Sequence, residues 1–152
     1  MQWSKLKSRV KSFIAPELRH RIDFHLTSYR RSHDGADKVW ITVDGERVFD
    51  CKHYPREWAE ADLYQRGLER DEISPALAAA EIHGPADFGN AMRIYLRIPV
   101  EEALRSSDPI VRAFAIIDRR VGKRTLEKLE VSDADHTLVK MFYDVRSISG
   151  SE

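Results

Sequence analysis

The chain has 152 residues, in which 25 Lys and Arg are balanced by 25 Asp and Glu. That length is the size of one domain and buries roughly 68–70% of the unfolded surface, so a core forms without staples; zero net charge removes any whole-molecule signature for nucleic acid. Cys51 is the only cysteine, which excludes an internal disulfide, and no apolar run reaches the ~20 residues of a membrane span.

The charge is unevenly spread. Residues 1–33 carry eight Lys and Arg against Glu17 and Asp23, a net of +6. Residues 56–105 carry six Arg against ten acids, a net of −4. A lone cysteine and the lack of a secretory apolar core point to a reducing, cytoplasmic setting. The basic, acid-poor start up to Pro16 would also suit a transit peptide, but well-patterned strands follow it.

Trp3, Leu6, Val10 and Phe13 recur at helical spacing, so the chain opens on an amphipathic helix that ends before Pro16. Ile22, Phe24 and Leu26 alternate with Asp23, His25 and Thr27, a strand pattern. The polar segment Tyr29-Arg30-Arg31-Ser32-His33-Asp34-Gly35 follows. Val39 to Val43 and Glu46 to Cys51 then read as two strands joined by Asp44-Gly45, a strong hairpin signal. A two-residue turn there pairs Ile41 with Val48 and Trp40 with Phe49. Apolar residues then lie on both faces, so both are expected to be at least partly covered.

From Pro55 the pattern turns helical. Trp58, Ala61 and Leu68 share a face; Ser74-Pro75 opens an Ala-rich helix that Gly84 closes; Phe88, Met92, Tyr95 and Leu96 mark another; Pro99 with Glu101 and Glu102 opens a short one. The best-marked element begins at Asp108-Pro109. Ile110, Phe114, Ile117 and Val121 line one side of it and Arg112, Arg119 and Lys123 the other, with Gly122 just past its end. Lys123 to Glu130 reads as a short helix, and Leu138, Met141, Phe142 and Val145 as the stripe of a last one. The expected architecture is α+β: an N-terminal helix, a three-stranded antiparallel meander, and a mainly helical C-terminal two-thirds. It forms a single domain over residues 1–147, with 148–152 as a frayed tail.

No complete catalytic set is present. His25-Leu26-Thr27 is one copy of the His-x-Thr motif that two-histidine phosphoesterases use twice, and a half-site lacks the second proton shuttle. Cys51, His53 and His83 do not have the paired spacing of a zinc site, and nothing selects a partner that would activate Cys51. No catalytic residue, metal ligand or cofactor is therefore expected. The candidate binding residues are basic and aromatic. Tyr29, Arg30, Arg31 and His33 form one group, and Arg112, Arg119 and Lys123 form another. Arginines beside aromatics suit phosphate contact and base stacking, so the expected partner is a nucleic acid or an acidic protein. The alternative is a small hydrolase or phosphoesterase built on His25, Thr27 and nearby arginines.

The chain resembles a small, uncharacterised bacterial protein family, a domain of unknown function. The likeness is carried by Trp3-Ser4-Lys5-Leu6-Lys7-Ser8-Arg9-Val10, by Asp23-Phe24-His25-Leu26-Thr27 with Tyr29-Arg30-Arg31, and by Trp40-Ile41-Thr42-Val43-Asp44-Gly45. Pro109-Ile110-Val111-Arg112-Ala113 and Asp118-Arg119-Arg120-Val121-Gly122-Lys123-Arg124 complete it. Nothing between Cys51 and Phe88 contributes. The resemblance implies a bacterial cytosolic origin and carries over no activity.

Overall fold

The computed structural model describes residues 2–28 and 36–151, the last three of these by backbone alone. An N-terminal helix, a three-stranded antiparallel sheet and then mostly helices follow one another, an α+β chain. The elements are α1 (Trp3–Phe13), β1 (Ile22–Thr27), β2 (Lys38–Val43), β3 (Glu46–Lys52), α2 (His53–Gln65), α3 (Arg70–Ala79) and α4 (Pro85–Arg97), then α5 (Val100–Leu104), α6 (Pro109–Ile116), α7 (Lys123–Glu127) and α8 (Thr137–Ser151). They fall into two compact units. One is residues 23–88, and the other joins residues 1–22 to 89–152.

In the unit of residues 1–22 and 89–152, α6 packs against α5 and α8. Asp108 caps α6, its carboxylate accepting from the Ile110 amide at 2.9 Å, and Pro109 sits in the first turn. Ile110, Phe114, Ile117 and Val121 are all buried, as their spacing requires. The helix is shorter than the apolar stripe, however, ending at Ile116. Beyond it the chain turns to pair with the segment after α1. The Ala15 amide donates to the Ile117 carbonyl at 2.8 Å, and the Arg119 amide to the Phe13 carbonyl at 2.7 Å. Gly122 is consequently not a helix end. It precedes α7 with extended backbone. The side chains of Ile117 and Val121 reach the core from a turn rather than from a helix.

In the unit of residues 23–88 the strand order is β1-β2-β3. Asp44 and Gly45 take φ of 53° and 83°, the two left-handed positions of a type I′ turn. The register beyond the turn differs from the simple expectation. Ile41 lies opposite Phe49 and Trp40 opposite Asp50, with a bulge between Ile41 and Thr42 on the β2 side. One extra residue on β3 turns Phe49 and Cys51 to the same face as Val39 and Ile41, and all four are buried. One face of the sheet is therefore dry, and the other is mostly polar but carries the half-buried Trp40.

Two helical boundaries also differ from the sequence pattern. α3 starts at Arg70, where the Glu72 carboxylate accepts from the Glu69 amide at 3.3 Å, and Pro75 lies inside it. Gly84 does not close that helix. Its amide donates to Asp87 Oδ2 at 2.8 Å at the start of α4. No residue of α2 is buried, and Trp58 is 68% exposed, so that aromatic is surface rather than core.

Candidate functional site

The polar face of the sheet is built by alternation: His25, Lys38, Trp40, Thr42, Arg47, Asp50 and Lys52 point the same way once the bulge is counted. Its middle is tied together. His25 stacks on Trp40 with ring centroids 5.3 Å apart and shares a 2.8 Å hydrogen bond with Thr42 Oγ1 through Nε2. The Arg47 guanidinium lies 4.4 Å from the Trp40 ring centre and pairs with Asp50 at 2.5 Å. His25 Nε2 and Arg47 Nε thus each have a partner within the sheet.

The end of the face differs. Register places Lys38 directly opposite Lys52, and like charges in such a pair repel. β3 runs without a break into α2, so His53 and Tyr54 follow Lys52 at once. A cleft of about 140 Å³ opens there, walled by Asp37 and Lys38 on one side and by Lys52, His53 and Tyr54 on the other. Tyr54 stacks on Trp58 at 5.9 Å and 29°, and His53 meets Tyr54 edge-on at 5.1 Å while pairing with Glu57 at 2.8 Å. Among the described residues the Lys52 ammonium and the Tyr54 hydroxyl make no hydrogen bond, and both side chains are exposed. Lys52, His53 and Tyr54 give the cleft wall a cation and two flat rings. No group of three or more His, Cys, Asp or Glu able to hold a metal occurs among the described residues.

A model of the SF0329 protein family matches residues 2–147. The chain belongs to the SF0329 family. The match runs through residues 51–88 as well, where the recognisable motifs are absent. No curated protein and no solved structure matches the chain.

The residues that sequence singled out in this SF0329 chain fall in different stretches of the sequence. Tyr29, Arg30, Arg31 and His33 lie in the segment joining β1 to β2, outside the described residues. Arg112 is on α6, but its Nη1 donates to Asp135 at 2.9 Å. That pairing supports the Ser132 amide in holding the Asp135 carboxyl below its ordinary range. Arg119 is in the turn after α6, and its guanidinium lies 5.8 Å from the Phe13 ring centre. Lys123 begins α7 and is exposed. Because α6 stops at Ile116, these three cations do not form one stripe along a helix. Lys38, Lys52 and Tyr54 were not singled out in sequence, since the bulge that sets the lysines opposite one another leaves no mark there, and Trp58 was read only as part of a helix face.

Buried polar chemistry lies in the other unit. Asp118 is fully buried in the turn after α6. Its carboxylate accepts from the Tyr95 hydroxyl, from the Arg120 amide at 2.8 Å and from Arg120 Nη2 at 2.7 Å. Arg120 also covers the Phe13 ring at 4.1 Å. Burial, reinforced by the bond to Asp118, pushes the Tyr95 hydroxyl well above its usual range, so it stays protonated. Among the described residues every fully buried side-chain polar atom has a partner, which makes this network a structural tie rather than an open site.

Proposed function

We propose that the chain is a non-catalytic binding module of a bacterial cytoplasm that takes a negatively charged group of its partner at the Lys38–Lys52 end of the sheet. The observation that carries this is the cleft there: the Lys52 side chain is exposed and makes no hydrogen bond among the described residues, and His53 and Tyr54 line the space beside it. The family resemblance supports a bacterial setting, and the single cysteine supports a reducing one.

The test is titration of the whole chain with short RNA, short DNA, an acidic peptide and inorganic phosphate, each at two salt concentrations. Binding of at least one anion that weakens with salt is expected, as is its loss in Lys38→Ala with Lys52→Ala. Absence of binding to all of them at low salt, or binding that the double variant leaves intact, overturns the proposal.

A further inference from the structure

We infer that the exposed side of α1, with Arg19 and Arg119 at its C-terminal end, binds the phosphate backbone of a nucleic-acid duplex. The site lies in the unit of residues 1–22 and 89–152 and does not rest on the cleft of the other unit.

Two arginines meet at the end of α1. Arg19 Nη2 donates to the Ser12 carbonyl at 3.1 Å, and its Nε to the Ile14 carbonyl at 3.1 Å. Arg119 Nε donates to the same Ser12 carbonyl at 3.4 Å. Among the described residues neither guanidinium pairs with a carboxylate. A helix end supplies the equivalent of about half a negative charge, against two full positive ones here. Capping α1 therefore leaves most of that charge uncompensated. Arg119 keeps both Nη groups and Arg19 keeps Nη1 for a further acceptor, and guanidinium donors match phosphate oxygens.

The helix carries the charge onward. Leu6 and Val10 bury one side of α1, which leaves Lys5 and Arg9, one turn apart, exposed on the side of Ser12. Neither side chain makes a hydrogen bond or ion pair among the described residues. Acids are scarce around them. Glu17 is the only one in residues 1–22 and faces Arg146 at 3.9 Å, and none occurs from Arg119 to Leu126. The whole unit holds 17 Lys and Arg against 11 Asp and Glu, a net of +6 in a chain whose total is zero. A row of cations in such a field suits a polyanion better than a single charged group.

The lack of exposed apolar groups narrows the class. None of the exposed large hydrophobic side chains described lies on α1 or in the turn after α6, so an acidic protein would find no apolar anchor there. The rings of α1, Trp3 and Phe13, are half-buried, and Arg120 covers Phe13 at 4.1 Å. Unstacked bases of a single strand thus have no open ring to lie on. A duplex needs neither, since its backbone faces outward and its bases stay paired.

The experiment is anisotropy titration of labelled 20-base-pair DNA and RNA duplexes, one strand alone and an acidic peptide, over a series of salt concentrations. Duplexes of unrelated sequence are expected to bind equally and at least tenfold more tightly than the strand or the peptide. The salt slope for DNA is expected near −3.6, about 0.9 for each of four phosphates. Arg19→Gln with Arg119→Gln, and separately Lys5→Gln with Arg9→Gln, should each halve that slope and weaken binding at least tenfold. Lys5 and Arg9 make no bond, so their variant should melt like wild type; it carries the test if loss of the carbonyl bonds loosens the end of α1. Absence of duplex binding at low salt overturns the inference, as does binding that both variants leave intact. Duplex binding that falls only in Lys38→Ala with Lys52→Ala overturns it in favour of the cleft. Strand or peptide bound as tightly as the duplex overturns it as well.

Discussion

Arg146 Nη1 donates to the main-chain carbonyl of Asp118 at 2.7 Å, across 28 residues of sequence. The same guanidinium donates to the carbonyls of Ile116 at 3.2 Å and Val121 at 2.8 Å. It is a buried cation at the C-terminal end of α6, where unpaired carbonyls make a negative pole. Burial lowers its pKa from the ordinary arginine value, yet the guanidinium stays charged at any working pH. One side chain from α8 thus holds the turn that bends the chain out of the helix.

Removing it should unfold that turn first. Arg146→Met keeps the aliphatic stem and deletes three hydrogen bonds to main-chain carbonyls, of which only that of Asp118 keeps another donor, the Val121 amide. A loss of roughly 3 kcal/mol is expected, read as a lower urea midpoint. Arg146→Lys should recover part of it. A midpoint equal to wild type in Arg146→Met would show that the three bonds contribute no stability.

Gly45 offers a cleaner backbone test. Its φ is 83°, and a Cβ placed there would meet nothing within 4 Å. Any penalty therefore comes from the left-handed conformation and not from a clash. Gly45→Val should cost at least about 1–2 kcal/mol, with the β-branched side chain adding to it. Asp44→Asn, which tolerates the same region, should stay near wild type in the same thermal melt. If Gly45→Val melts with wild type, the turn is not type I′ in solution.

These two sites mark how far the sequence could be read. The Asp-Gly turn is local chemistry, and its place was plain from two residues. The register beyond it was not. A strict two-residue hairpin sets Lys38 against Cys51, and the bulge shifts the partner to Lys52. That choice is made by burial of Phe49 and Cys51 on one face, a tertiary effect without a local signature. The same holds for α6. Its cap, its proline and its apolar spacing were visible, but its early end depends on Asp118, Tyr95, Arg120 and Arg146 meeting from three parts of the chain. The lysine cleft and the Asp118 tie were illegible for one reason: each is made of residues distant in sequence that only packing brings together.

Asp135 predicts a pH dependence with a definite sign. The Ser132 amide at 2.8 Å, with Arg112 at 2.9 Å, favours the ionised carboxylate and lowers its folded pKa. A depressed folded pKa contributes stability that is complete above the unfolded value of about 3.9 and is lost as pH falls through the folded value. Asp135→Asn should therefore be less stable than wild type at pH 7, and the gap should close below about pH 4. Urea titrations of both proteins at pH 7 and pH 3 measure it. A gap that persists unchanged at pH 3 would assign the loss to packing instead.

Cys51 tests the dry face of the sheet. Burial pushes its thiol well above the usual range, and the Asp87 and Asp50 charges push the same way. Only thiolate reacts with an aromatic disulfide reagent, so the native protein should label by opening alone. The expected result is slow labelling at pH 8 that accelerates steeply in urea. Labelling of the native state as fast as a free thiol would place Cys51 at the surface and undo the bulged register.

The Tyr95–Asp118–Arg120 network should behave as a unit. Tyr95 and Asp118 are both buried, so deleting either group leaves the other short of a partner in a dry site. Tyr95→Phe removes one donor and keeps the ring between Phe13 and Phe114. Asp118→Asn keeps the size but takes the charge from beside Arg120, whose own pKa that carboxylate raises. Each single variant should lose about 1–3 kcal/mol. The double variant should lose less than the sum, because the second change no longer strands a buried group. The coupling, measured by urea denaturation of all four proteins, is expected at 0.5 kcal/mol or more on the order given by contacting polar pairs. Strict additivity would mean that the hydroxyl and the carboxylate do not share their bond in solution.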